Sequence, residues 1–260
     1  MPCPGARTAA AIVAALLCVG GAGGQAPGAG APAELPPGKL GEAIALGRAI
    51  VENTKDHPLS KPFVGNALNC TSCHLDNGTH PEAATFLGVA AAYPAWSPRE
   101  ARVITLEQRV QNCFIRSENG ARPPLGGEVA TAITAYITWL STGQPIQQNA
   151  DRPLGPRAMR ALEVEGGDAE RGAALYADHC VSCHGDQGEG DDVSPPLWGD
   201  QSYNDGAGMS QAPKLASYLK VAMPLDDPIL SEQEATDIAA YVNGHARPRF
   251  RLSDHAEPAP

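Results

Sequence analysis

The sequence predicts an all-α chain of two tandem helical units, one after the other, joined by an irregular linker. Three observations predict it. The pentapeptides Cys70-Thr71-Ser72-Cys73-His74 and Cys180-Val181-Ser182-Cys183-His184 repeat one Cys-x-x-Cys-His pattern. Each follows a stretch with apolar residues at helical spacing, and each is followed at a distance by a second such stretch. The length, 260 residues, suits two small domains.

The elements can be taken in chain order. Arg7, the apolar run Ala9 to Val19 and the small residues up to Gly24 read as a secretory signal peptide over residues 1–24. The apolar run is shorter than the roughly 18 residues needed to span a bilayer. Leu17 before Cys18 argues against a lipoprotein anchor. The expectation is a periplasmic protein with no membrane span once processed. Residues 25–39 are mostly Ala, Pro and Gly and form a flexible leader. The first unit covers 40–140, with a leading helix near Glu42 to Glu52. Its last helix runs from about Glu128 to Leu140, where Ile133, Tyr136, Ile137 and Leu140 are apolar. Pro, Gly and Gln mark a linker over 141–165. The second unit covers 166–246, and 247–260 is a tail. Its leading helix, Ala169 to His179, presents Gly172 and Tyr176 to another helix. Its last helix spans about Glu232 to Asn243, with Ser231 as N-cap and Glu234 completing a capping box. Gly47 plays the part of Gly172 in the first unit. Gly47 precedes Cys70 by 23 residues and Gly172 precedes Cys180 by 8, so the first unit carries an insertion around Lys55 to Gly65.

Seven cysteines are present, and Cys3 and Cys18 leave with the signal peptide. The paired sulfurs of Cys70/Cys73 and Cys180/Cys183 have the spacing that forms two thioethers to a haem edge. The following histidines, His74 and His184, then reach the iron as proximal ligands. Two copies in one exported chain make zinc half-sites or redox pairs poor explanations. The chain is therefore expected to bind two haem c groups covalently. The second unit, with Gly185 after its histidine and Pro195-Pro196-Leu197 beyond, resembles the class I small c-type cytochromes. The first unit repeats that plan.

Each iron needs a second axial ligand or stays open. In the second unit the candidates are Met209 and Met223. Methionine is the common partner of histidine in cytochromes c. Met223 precedes Pro224, lies just before the last helix and is 39 residues beyond His184; Met209 is 25 beyond it, in a Gly-rich loop. Met223 is preferred. The first unit has no methionine between His74 and its final helix. The remaining cysteine, Cys113, lies 39 residues beyond His74. That coincidence marks Cys113 as a thiolate ligand rather than a buried free thiol. His57 in the insertion is its rival; His80 is too close to His74. An anionic sulfur ligand stabilises ferric iron, so the first haem should have the lower potential. A reactive sulfur also suits sulfur chemistry better than plain electron carriage.

The formal charge of −10 argues against nucleic acid or anionic membranes as partners. Residues Trp96 to Arg122 oppose this trend: five arginines and three acids give the segment a net charge of +2. Arginine's planar fork suits oxyanions. Arg109 lies four residues before Cys113, on the same side of a helix. Arg99 and Arg109 are read as anion-binding. For Arg116 both roles stay open, with haem-propionate contact preferred over anion binding, and Arg102 and Arg122 are read as ordinary surface or propionate partners.

The run Val64-Gly65-Asn66-Ala67-Leu68-Asn69-Cys70, with Cys73-His74-Leu75 and Gly78, resembles the dihaem thiosulfate dehydrogenases, which form tetrathionate. So do Arg109 to Cys113-Phe114, Arg116-Ser117, Asn119-Gly120, Asn204-Asp205-Gly206-Ala207-Gly208-Met209 and Met223-Pro224. The resemblance spans about Leu40 to Asn243, and the stretch around Cys113 is its specific part. It implies a catalytic first haem with His74/Cys113 ligation and substrate arginines at Arg99 and Arg109. It implies a second, electron-exit haem with His184/Met223 ligation and a soluble cytochrome c or similar acceptor. Some relatives place a lysine just before the methionine, able to exchange with it; here that residue is Ala222. The family can also run in reverse, as a tetrathionate reductase. Two thiosulfate dianions at roughly 5 Å repel by about 13 kcal/mol at an effective dielectric of 20, so local cations are required. The two haems match the two electrons released. The alternatives are a dihaem electron carrier, or a cytochrome subunit of a larger sulfur-oxidising complex.

Overall fold

A computed structural model describes residue 32, residues 34–146, 159–164 and 166–255. The expected signal peptide lies outside the described residues, as do much of the leader and part of the linker. Among the described residues, no helix is long and apolar enough to cross a membrane.

The first unit contains α1 (Lys39–Glu52), the strands β1 (Ala95–Ser97) and β2 (Arg102–Ile104), α2 (Leu106–Arg116) and α3 (Glu128–Trp139). The second contains α4 (Ala169–His179), the short α5 (Val181–His184), α6 (Ala212–Ala222) and α7 (Glu232–Gly244). The all-α expectation holds apart from one antiparallel hairpin, in which Ala95 faces Ile104 and Ser97 faces Arg102. Strands of three residues are too short to show an alternating pattern in sequence. Helix α6 was also not foreseen.

In each unit the leading helix crosses the last one at a glycine. A Cβ on Gly47 would sit 2.0 Å from the Ala132 carbonyl oxygen, and one on Gly172 would sit 2.1 Å from that of Asp237. These equal contacts bear out the pairing of Gly47 with Gly172. Tyr136 and Tyr176, each 2% exposed, fill the two crossings. Gly172→Ala is expected to destabilise the second unit by about 1–3 kcal/mol through overpacking. Denaturant melting checks this; an unchanged midpoint would mean the crossing has slack.

Local signals fix the helix starts. The Ser231 hydroxyl accepts from Glu234 N at 3.2 Å, and the Glu234 carboxylate accepts from Ser231 N at 2.8 Å. This is the capping box expected for α7. Thr105 and Gln108 form the same box at α2, at 3.2 and 3.0 Å. Val110, Phe114 and Ile115 then turn into the core, while Arg109 and Cys113 share another side.

The two units pack tightly together. The buried Asn204 amide donates to Ile115 O and to Asn119 Oδ1, both at 2.9 Å, just after the turns of α2 that carry Cys113. Asn66 donates to Ser117 O at 2.7 Å and Ser202 O at 3.1 Å. Ala83 of the first unit packs with Tyr218, Ala222 and Met223 of the second. Residues from the expected tail turn back: Phe250 lies 4.5 Å from the Arg116 guanidinium, and His255 Nδ1 is 2.7 Å from Gly120 O. Each of these polar contacts removes an unpaired buried group, which is what makes the docking specific.

Candidate active site

Each Cys-x-x-Cys-His run closes one helical turn that brings its two sulfurs to one side. His74 N donates to Cys70 O, and His184 N to Cys180 O, both at 2.9 Å. The insertion braces the first run: Thr54 Oγ1 accepts from Cys70 N at 3.0 Å, and Asn69 Oδ1 accepts from Lys55 N at 2.9 Å.

Both histidines are held by the ring nitrogen that an iron does not need. His74 Nδ1 bonds the Ala84 carbonyl, and its ring lies 4.1 Å from that of Phe86. His184 Nδ1 bonds Pro195 O at 2.9 Å. Such a bond fixes the tautomer and leaves Nε2 for a metal. Burial pulls His74 down to about 4, toward the neutral, ligating form, against the raising effect of the Ala84 bond. Pro195 was signalled by the Pro195-Pro196 loop; Ala84 had no such signal.

The thiol chemistry fits haem attachment. Burial pushes Cys73 up to about 12 and Cys180 up to about 11, with neighbouring Glu118 also raising Cys73. Such sulfurs suit uncharged thioethers better than thiolate metal ligands. No cluster of three or more His, Cys, Asp or Glu that could hold a metal ion occurs among the described residues. The donor sets are thus one imidazole with two thioether-forming sulfurs per unit, as haem c requires.

Cys113 faces the first of these sites. It acts electrostatically on both Cys70 and Cys73, and Arg109 acts on His74. Arg109 Nη1 donates to Cys113 Sγ at 3.0 Å. The Cys113 sulfur, followed by burial acting in the opposite sense, raises the Arg109 pKa. Arg99 sits in the hairpin turn, directly before the strand that leads into α2. Its pKa falls through burial and the field of Arg109, while Cys113 raises it. The structure therefore brings Cys113, Arg99 and Arg109 together beside Cys70, Cys73 and His74.

The carboxylate that acts on both arginines is engaged elsewhere. Glu100 pairs with Arg116 at 3.1 Å, both largely buried. Arg116, left open between a haem propionate and a substrate anion, contacts Glu100 and Phe250 in this structure. Arg122 donates to Asn112 Oδ1 at 3.2 Å. His57, the rival ligand, accepts from Leu59 N within its own turn at 3.3 Å.

Reasoning from sequence missed Glu118. It is 3% exposed, its Oε2 has no hydrogen-bond partner, and burial lifts it to about 8. It acts on Cys70 and Cys73 from the side of the attachment sulfurs. In the second unit, Met209 and Met223 both pack against the buried core that Cys180, Val181 and Trp198 also border. Met223 ends α6; Met209 lies in a 3₁₀ turn whose neighbours include Leu68 of the first unit. Ala222 is 4% exposed against Ala83, in a space suited to a small side chain.

Both units match families of known proteins. Residues 61–146 match the family described as SoxA/TsdA, cytochrome c domain. Residues 167–242 match the family described as cytochrome C oxidase, cbb3-type, subunit III. A thiosulfate dehydrogenase of Allochromatium vinosum is 40% identical over 234 residues, covering 85% of this chain and 84% of that protein. One of Stutzerimonas stutzeri is 39% identical over 223 residues, covering 83% of this chain and 71% of that protein. The solved thiosulfate dehydrogenase (TsdBA) of Marichromatium purpuratum superposes with a TM-score of 0.79 at 42% identity. That match covers 84% of this chain and 49% of the solved one, so this chain spans about half of it. The fold is two cytochrome c domains, and the chain carries two covalently bound haem c groups. Identity near 40% across most of both partners extends well beyond the shared haem motifs: the chain belongs to the thiosulfate dehydrogenase family.

Proposed function

We propose that this chain oxidises two thiosulfate ions to one tetrathionate ion in the pocket formed by Cys113, Arg99 and Arg109. The observation that carries the reading is the 3.0 Å bond from Arg109 to the Cys113 sulfur, inside a cationic pocket beside the first Cys-x-x-Cys-His run. Two dianions must meet there, and two guanidiniums offset part of a repulsion of about 13 kcal/mol. One S–S bond forms between the two outer sulfurs, two electrons leave, and no proton is transferred. The haem c groups, when bound, supply the one-electron acceptors for this step.

His74 and Cys113 would hold the iron of the first haem c, and His184 and Met223 that of the second. Arg109 donates to the Cys113 sulfur and, with Arg99, receives the sulfonate oxygens. Tyr218, Ala222, Met223 and Ala83 exclude water between the two sites. The haem-binding units are assigned to residues 40–140 and 166–246, joined by 141–165 and followed by the tail 247–260. A signal peptide at 1–24 and a leader at 25–39 direct the chain to the periplasm. There a soluble cytochrome c or similar protein takes the electrons, and the reaction runs in reverse with a suitable donor.

An assay of the isolated holoprotein with thiosulfate and ferricyanide tests the function. The expected products are tetrathionate and ferrocyanide, one to two. A chain that passes electrons between added donors and ferricyanide yet makes no tetrathionate would be the dihaem carrier. Activity only with a partner present would point to the subunit of a larger complex.

A further inference from the structure

Helix α6 of the second unit runs across the first haem motif. Tyr218 donates to Ser72 O at 3.4 Å and packs on Ala83, and Ala222, one turn later, shares that contact. Lys214 lies one turn before Tyr218, so its side chain leaves the helix on the face that looks onto the first unit. Lys214 is an exposed residue, and its pKa is lowered by partial desolvation of the ammonium and then by the fields of Arg99 and Arg109. Those are the two cations of the thiosulfate pocket. No ion pair to Lys214 is found among the described residues, whereas Lys39, Lys61, Arg116 and Arg171 each have one.

Glu100, the carboxylate that acts on Arg99 and Arg109, is already paired with Arg116, and three like charges in one cluster repel each other unless an anion joins them. The Lys214 ammonium also stands in the first turn of an eleven-residue helix, near its positive end. Two thiosulfates bring four negative charges, and Arg99 and Arg109 bring two positive ones. We propose that Lys214 is the third cation of the thiosulfate site, supplied by the second unit, and that it binds the sulfonate of the second thiosulfate. The pocket is then composite: the first unit holds the sulfur and two arginines, and the second closes it. Lys214 is a binding residue in this reading, which rests on the proposed function.

The test compares Lys214→Gln, Lys214→Arg and Lys220→Gln in the full holoprotein. Lys220 is on the same helix, about 120° away around its axis, and acts on Glu232. Lys220→Gln thus removes the same charge outside the pocket. Lys214→Gln is expected to raise the KM for thiosulfate about tenfold, with kcat changed less than about twofold. Lys214→Arg should return KM to within about threefold of the unaltered chain, and Lys220→Gln should leave it unchanged. A second reading needs no turnover: sulfate, an inert dianion, is titrated against the oxidised protein while the first haem's absorption is followed. Sulfate should bind about tenfold more weakly to Lys214→Gln than to Lys220→Gln. Equal KM and equal sulfate affinity in the two Gln variants would overturn the proposal. If the unaltered chain makes no tetrathionate, the thiosulfate reading fails, while the sulfate titration still decides whether Lys214 belongs to the cation cluster.

Discussion

Cys113→Met holoprotein is expected to fold, attach both haems and lose thiosulfate oxidation by on the order of 10³-fold or more. The first haem should also become a high-potential site, because a neutral thioether no longer favours ferric iron. Cys113 is only half-buried on α2, whereas Val110, Phe114 and Ile115 are the buried residues that hold the core. Methionine at that position disturbs the pocket and spares the helix. Redox titration followed by visible absorption reads the potential, and initial rates read the turnover. Near-normal turnover in this variant would remove Cys113 from the mechanism, whatever the potential did.

Arg109→Gln is expected to lower kcat/KM for thiosulfate by about 10²–10³-fold. Two losses combine there. The Cys113 sulfur loses its hydrogen-bond donor 3.0 Å away. The pocket also loses a forked donor for sulfonate oxygens. Arg109→Lys should recover little, since an ammonium on a different stem cannot bond the sulfur and an oxyanion in one geometry. Steady-state rates across thiosulfate concentrations check this, with the first haem's spectrum showing whether the sulfur stays in place. A fall in kcat/KM of less than about tenfold would mean that Arg109 is an ordinary surface cation.

Much of the fold was legible in the sequence because its signals are local. The repeated Cys-x-x-Cys-His runs, the helical apolar spacing and the Ser231–Glu234 box each act within a few residues. The Gly47 and Gly172 crossings follow from one helix pair repeated in both units. The equal spacing of 39 residues led to Cys113 and Met223, yet the local structures differ. Cys113 projects from within α2, and Met223 caps the end of α6 in extended backbone. The spacing was therefore a pointer to two candidates rather than a sign of equal geometry.

The rest depends on how the units dock. Asn204 and Asn66 read in sequence only as part of a family likeness; the structure shows their amides pinning the second unit to the end of α2. Lys214 carries no signal until α6 is laid across Ser72 and Ala83. Glu118 counted as one acid among three until burial left its Oε2 without a hydrogen-bond partner. The hairpin that carries Arg99 is too short to announce itself, although the arginine was found by its charge pattern.

Low-temperature electron paramagnetic resonance of the fully oxidised chain bears most directly on the sulfur at the first haem. One low-spin ferric signal of the thiolate-bound type is expected, alongside one of the histidine/methionine type. The first should vanish in Cys113→Met while the second remains. Two histidine/methionine-type signals in the unaltered chain, or a thiolate-type signal that survives the substitution, would contradict the assignment.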